Sequence, residues 1–273
     1  MEDRGPSAYL AELLGTFMLV LFISLVLSVY QLGDKGLGYV DFTVIGLLHV
    51  FVLAMLVASL GGASGAHFNP AVTVTLLALR KIKGADAAVY IIVQLIGAVL
   101  AVLVVKLLLD DEGDVVNYGA NAVSEKFLGN KATAGMLAEA IGAFALMWAI
   151  MGTAVNPRAE RSWAPLMIGG ALGMAVMAIG PLTGAGFNPA RAFGPALVGD
   201  AFDGGGRFLL AFVVGPCLGA LAAGFAYTAI VLRPQEALFG GRLVDADVPP
   251  GRVAGELEAA EAGPGERPID KLS

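Results

Sequence analysis

Residues 42–79 read FTVIGLLHVFVLAMLVASLGGASGAHFNPAVTVTLLAL, 38 residues without one Asp, Glu, Lys or Arg. As one helix this stretch would extend about 57 Å, nearly twice the roughly 30 Å hydrocarbon core of a bilayer. It is also interrupted by a run of small residues, with Gly61, Gly62 and Gly65 shortly before His67. The stretch therefore divides into a full span to about Leu60, a break, and a helix of about 11 residues starting at Asn69. Eleven residues rise only about 16 Å, half a bilayer. Asn is a favoured helix N-cap and Pro is favoured at the first helical position, so Asn69, Pro70 and Ala71 open that short helix.

The same pattern recurs. Residues 162–199 also number 38, with Arg191 as their one charge. They divide into a span to about Ile179, a break from Gly180 to Gly186, and a short helix opened by Asn188, Pro189 and Ala190. The likeness extends outward. Ala-Glu-Leu-Leu-Gly-Thr-Phe at 11–17 matches Ala-Glu-Ala-Ile-Gly-Ala-Phe at 138–144, and Leu-Ile-Gly-Ala at 95–98 resembles Cys-Leu-Gly-Ala at 217–220. The offsets are 127, 119 and 122 residues in order along the chain. Each half thus holds three spans and one half-helix. Three is odd, so the second half enters the membrane from the opposite side. Inverted repeats with broken helices at matching positions place the substrate path near the midplane, where the repeats meet.

The remaining composition agrees with a multi-spanning membrane protein. Charge is 15% of the chain, against about 25% in ordinary soluble domains. Charge-free stretches also run over 87–105 and 208–232, while 7–33 and 132–157 carry only Glu12 and Glu139. A net charge of -6 argues against a nucleic-acid surface. The single cysteine, Cys217, excludes an intrachain disulfide, and two histidines supply at most half of a tetrahedral zinc site, so no metal and no cofactor is expected. The first apolar run follows Met-Glu-Asp-Arg without a small-residue cleavage site and reads as a first helix.

Irregular backbone at membrane depth is tolerated only inside protein or along a water-filled cavity. Two helix N-termini then meet near the midplane, each equivalent to roughly half a positive charge. Each Asn can cap with its carbonyl oxygen and leave its NH₂ as a donor to the lumen. A water accepting from both must turn its hydrogens outward, which opposes proton hopping. Glu12 and Glu139, inside the membrane, must accept hydrogen bonds or be protonated.

The two Asn-Pro-Ala boxes, the Ala-Glu-x-x-Gly-x-Phe opening of each half, and Ser64, Gly65, Ala66 and His67 before the first box resemble the aquaporin (major intrinsic protein) family. The resemblance covers about residues 7–232. It implies an all-α membrane protein of six tilted helices and two re-entrant half-helices around a central pore, assembled as a homotetramer among membrane lipid. Arg191, directly after the second box, matches the family's constriction arginine. Counting back from the boxes adds His49, Val176 and Ala185 to that ring. Glu12 and Glu139 match the glutamates that hold the re-entrant loops, and His67 matches a histidine at the cytoplasmic mouth.

The set His49, Val176, Ala185 and Arg191 most resembles the tonoplast intrinsic proteins, and Ala192 after Arg191 resembles the water-channel side of the family. The expected solute is water, with ammonia, urea or glycerol as small neutral companions. The Phe-Trp pair often found before the last Gly-Pro is here Phe212 and Val213. An ion- or proton-coupled secondary transporter is the alternative, since it too would have inverted repeats, though only Glu12, Glu139 and Arg191 are charged at depth. No catalytic constellation is visible, so an enzyme is not expected.

Basic residues set orientation. Arg80, Lys81, Lys83, Arg158, Arg161 and Arg233 fall on one side, and Asp110, Asp111, Glu112, Asp114 and Glu125 on the other. Both termini are therefore expected in the cytoplasm, with the chain in the cell membrane. The organisation expected is a channel domain over 1–232, with repeat one at 7–109 and repeat two at 132–232. The tail at 233–273, with 8 acidic and 5 basic residues, reads as disordered.

Overall fold

The computed structural model describes residues 5–33, 37–38 and 40–234. Beyond Pro234, the stretch read as a disordered tail lies outside the described residues. The chain runs through α1 (Pro6–Leu32), α2 (Asp41–Ser64), α3 (Pro70–Ala78), α4 (Gly84–Val115), α5 (Ala132–Val155), α6 (Arg161–Thr183), α7 (Pro189–Val198) and α8 (Gly206–Leu232). No strand occurs among the described residues. Six of these helices are long and apolar enough to cross a bilayer, while α3 and α7 have 9 and 10 residues.

The packing is a two-fold repeat that interlocks. Within each half the first and third spans pair, α1 with α4 and α5 with α8, and the first two spans also touch. Across the halves, α2 packs along α6, and each half-helix lies on the third span of the other repeat, α7 on α4 and α3 on α8. Neither half can close its interior without the other.

Small residues make these contacts close. Gly97 of α4 lies against the Leu13 carbonyl of α1, and its repeat equivalent, Gly219 of α8, lies against the Ala140 carbonyl of α5. Gly46 and Gly173 face each other where α2 crosses α6. In a membrane, where burial of apolar surface gives little drive, such backbone approach supplies the packing. The molecule is apolar outside and polar along its middle. Phe22, Phe51, Ile96, Leu107 and Phe225 are exposed, whereas Glu12, Gln94, Glu139 and Arg191 are buried. A bilayer explains such a surface, and water does not.

Two helices run further than their sequence suggests. The span expected to end near Leu60 continues to Ser64, and the one expected to end near Ile179 continues through Pro181 to Thr183. Each ends at a glycine in the left-handed region, Gly65 (φ 88°) and Gly184 (φ 76°), a common way to close a helix. The glycines before them cost only about 1 kcal/mol each in a helix, too little to end a well-packed one. On the far side, α4 breaks at Asp110 (φ 43°) before its last turn.

Candidate functional site

The two re-entrant loops are built alike from one side chain each. Glu12 accepts hydrogen bonds from the Ser64 hydroxyl (2.6 Å), the His67 N–H (2.9 Å), the Phe68 N–H (2.7 Å) and the Gln94 amide (2.8 Å). Glu139 accepts from the Thr183 hydroxyl (2.6 Å), the Gly186 N–H (2.9 Å) and the Phe187 N–H (2.5 Å). Each carboxylate is fully buried. Buried N–H groups in a non-helical loop need acceptors, and one carboxylate provides several at once.

One turn further, Gly15 and Gly142 leave the space that the Phe68 and Phe187 rings occupy. The Ala-Glu-x-x-Gly motif is thus a cradle, its Glu for the loop backbone and its Gly for the loop's aromatic ring. The loops need such support because Ala66, Phe68, Ala185 and Phe187 all have φ between 46° and 51°, a strained region for side chains other than glycine.

Beyond each Phe the chain starts a half-helix. Asn69 caps α3 by accepting from the Ala71 N–H (2.8 Å), and Asn188 caps α7 by accepting from the N–H groups of Ala190 (3.0 Å) and Arg191 (3.3 Å). Their amide nitrogens cross over. Asn69 Nδ2 donates to the Phe187 carbonyl (2.9 Å), and Asn188 Nδ2 donates to the Phe68 carbonyl (2.8 Å). The sequence reading left both N–H groups of each amide to the lumen. The structure spends one of them on tying the two loops together, because each loop presents a carbonyl that would otherwise be buried unpaired.

Asn69, Asn188, His49, His67, Phe68 and Arg191 line one narrow cavity. His49 is buried, and its Nδ1 lies 2.7 Å from the Ile45 carbonyl one turn earlier. A carbonyl only accepts, so Nδ1 carries the proton, and in the neutral ring Nε2 is left as an acceptor. His67 Nδ1 meets the Thr73 hydroxyl at 3.0 Å, and its ring stands edge-on to Tyr90. Val176 and Ala185 are buried but line neither this cavity nor a second, wider one. That second cavity is lined by Phe42, Gly119, Lys126, Gly180 and Gly184 among others.

Arg191 is 2% exposed. Its Nη1 donates to Asn121 Oδ1 (2.6 Å) and its Nη2 to the Gly119 carbonyl (3.1 Å), both uncharged acceptors. These partners were not found from sequence. The segment between α4 and α5 reads as an acidic surface loop, yet residues 117–123 fold inward with Tyr118, Gly119, Asn121 and Val123 buried. The available signal was a charge-free Asn-Tyr-Gly-Ala-Asn at 117–121 between acidic flanks. Gln94, which bonds both Glu12 and Thr73 (3.1 Å), was likewise missed. Its repeat position is Pro216, so the repeat gave no pointer to it.

Comparison with known proteins agrees with this geometry. The family model of the major intrinsic proteins matches residues 5–227. A probable aquaporin, AqpM, of Archaeoglobus fulgidus is 37% identical over 235 residues, covering 80% of this chain and 94% of that protein. Aquaporin TIP4-4 of Zea mays is 36% identical, covering 85% of this chain and 89% of its own. The structure of the aquaglyceroporin from Plasmodium falciparum superposes with a TM-score of 0.69 at 22% identity, covering 85% of this chain and 98% of that one, and so shares the fold. With six apolar spans, two half-helices and tied Asn-Pro-Ala boxes, the chain belongs to the major intrinsic protein family of aquaporin channels.

Proposed function

We propose that the chain is a passive channel conducting water in single file, excluding protons and ions, and passing small neutral solutes such as ammonia, urea or glycerol less readily. The observation that carries this reading is the meeting of two Asn-capped helix N-termini in one cavity, each amide tied to the opposite loop. Each N-terminus contributes roughly half a positive charge, which repels cations. The second N–H of each amide remains as a donor. A water accepting from both directs its own hydrogens away along the file, which breaks a proton wire at the midplane.

The selectivity ring is assigned to His49, Val176, Ala185 and Arg191. Support comes from the two cavities on either side. Phe42, Gly180 and Gly184 line the wide one, and His49, Leu172, Gly186 and Arg191 line the narrow one. Val176 falls one turn from both Gly180 and Leu172, and Ala185 falls between Gly184 and Gly186. The ring then offers donors from Arg191, one acceptor at His49 Nε2, and two small apolar sides. Such a neck fits a small solute bearing both N–H or O–H groups and a lone pair.

Basic residues at Arg80, Lys81, Lys83, Arg158 and Arg161 orient that side, with both termini, toward the cytoplasm, and put His67 at the cytoplasmic mouth of the pore. The conducting unit is residues 1–232, in a cell membrane, assembled as a homotetramer through the apolar outer helix faces. The test is stopped-flow light scattering on proteoliposomes with water, glycerol, urea and ammonia compared. The expected result is water flux well above protein-free vesicles and smaller, unsaturable flux of the neutral solutes. Flux that saturates and requires an ion or proton gradient would instead identify a coupled transporter.

A further inference from the structure

The first half-helix ends on a pair of cations. The last turn of α3 closes with the Arg80 N–H on the Leu77 carbonyl (2.9 Å) and the Lys81 N–H on the Leu76 carbonyl (2.8 Å). This closure places one residue in the left-handed region, most often a glycine. Here that residue is Arg80, at φ 58°. The buried Ile82 then pins the turn before α4 begins. A side chain where the backbone favours glycine costs stability, so the arginine calls for another reason.

The second half-helix shows that the fold does not require a basic pair at this point. It closes with the same bond, from the Ala201 N–H to the Ala196 carbonyl (2.9 Å), and its left-handed residue is Asp200 (φ 49°). The equivalents of Arg80 and Lys81 are thus an acid and an alanine, on the opposite face of the membrane. A cation complements the C-terminal end of a helix dipole, yet α7 ends on an acid, so the dipole does not dictate the choice.

Arg80 and Lys81 are both exposed, and neither side chain makes a hydrogen bond or ion pair among the described residues. The acid nearest along the chain, Asp86, is buried and accepts from the Tyr9 hydroxyl (2.7 Å). Just before the pair, Leu77 and Ala78 leave exposed apolar surface on the last turn of α3. Two unpaired cations bordering apolar surface at the membrane boundary match an anionic lipid, headgroup to the cations and acyl chain to the apolar edge. We infer that Arg80 and Lys81 bind the phosphate of an anionic phospholipid on the membrane face where α1 begins. The guanidinium can take two phosphate oxygens at once, and the ammonium adds a point charge. A lipid held there fixes the outer end of the half-helix whose inner end is capped by Asn69. The inference rests on the six spans lying in a bilayer and not on what the pore conducts.

The experiment uses the full chain in mild detergent. Retained lipid is read by native mass spectrometry, and the melting midpoint is recorded with added phosphatidylglycerol, phosphatidylcholine or inorganic phosphate. Wild type retains phosphatidylglycerol and melts higher in its presence, while phosphatidylcholine and inorganic phosphate leave the midpoint unchanged. One basic residue at an anionic lipid surface contributes about fivefold in affinity, so Arg80→Gln/Lys81→Gln weakens phosphatidylglycerol binding about 25-fold. Arg161→Gln removes another exposed cation on the same face and leaves that binding near wild type. Arg80→Gly separates binding from folding. It loses about fivefold in lipid affinity, while its lipid-free midpoint is no lower than wild type, because glycine takes the left-handed turn freely.

Equal retention of phosphatidylcholine, a midpoint shift with inorganic phosphate alone, or a loss in Arg161→Gln as large as in the double variant overturns the inference. So does an Arg80→Gly protein that melts lower without lipid and still binds phosphatidylglycerol as wild type, which would make Arg80 a helix cap.

Discussion

A buried carboxylate inside a membrane is expensive unless every lone pair is used, and Glu139 shows how the expense is offset. It gathers the Thr183 hydroxyl and two loop N–H groups. Glu139→Ala strands all three donors, at about 1–3 kcal/mol each, so thermal melting in detergent should fall steeply or no folded protein should be recovered. Glu139→Gln retains one acceptor oxygen and should lose distinctly less; equal loss in both would mean that charge, and not acceptor count, holds the loop. His49 is the residue whose assignment the structure sharpens most. With its Nδ1–H given to Ile45, it offers an acceptor for solute N–H groups. His49→Phe should therefore lower ammonia and urea flux more than water flux, while His67→Ala, at the proposed cytoplasmic mouth, should leave that ratio unchanged. The reverse pattern would move the constriction to the His67 end. Both histidines were visible as candidates through the family resemblance, His49 by counting back from Asn69 and His67 by its place just before the first Asn-Pro-Ala box. Asn121 was not, since its contact with Arg191 spans 70 residues and has no counterpart in the other repeat.

At the scale of elements, the repeated motifs are packing instructions as much as pore chemistry. Spans, breaks and caps were legible because bilayer thickness, glycine and the Asn-Pro pair each leave a local mark. The exact helix ends were not, because they depend on which glycine takes a left-handed turn. Nor was the role of the Leu-Ile-Gly-Ala repeat legible from one helix alone. Gly97 and Gly219 matter through a carbonyl on a different helix, Leu13 in one case and Ala140 in the other. Gly219→Leu cannot be accommodated by side-chain movement, since backbone faces it, and should cost at least the ~1–3 kcal/mol of an overpacked core. Gly62 also lies within a helix, but a Cβ there would meet open space. Gly62→Ala should therefore stabilise by up to about 1 kcal/mol. Thermal midpoints of the two variants in the same detergent check the contrast, and a Gly219→Leu midpoint that did not fall would mean that the α5–α8 contact is looser than described.

For the molecule as a whole, the interlock of the repeats explains why two half-length helices can sit in a membrane. Each is covered by the third span of the other half, and their N-termini are pinned to each other by the crossed asparagine bonds. The irregular backbone of the two Asn-Pro-Ala loops is thereby enclosed by helices, beside the cavity where water can satisfy it. This arrangement makes one demand that a transporter or a leaky pore would not meet: water must pass while protons do not. The direct measurement is osmotic water flux and internal pH recorded together in proteoliposomes of the full chain, under an imposed proton gradient. Water flux should rise in proportion to the protein added and to the osmotic gradient, with internal pH drifting no faster than in protein-free vesicles. Internal acidification that scales with protein content, or water flux that depends on the proton gradient, would contradict the account.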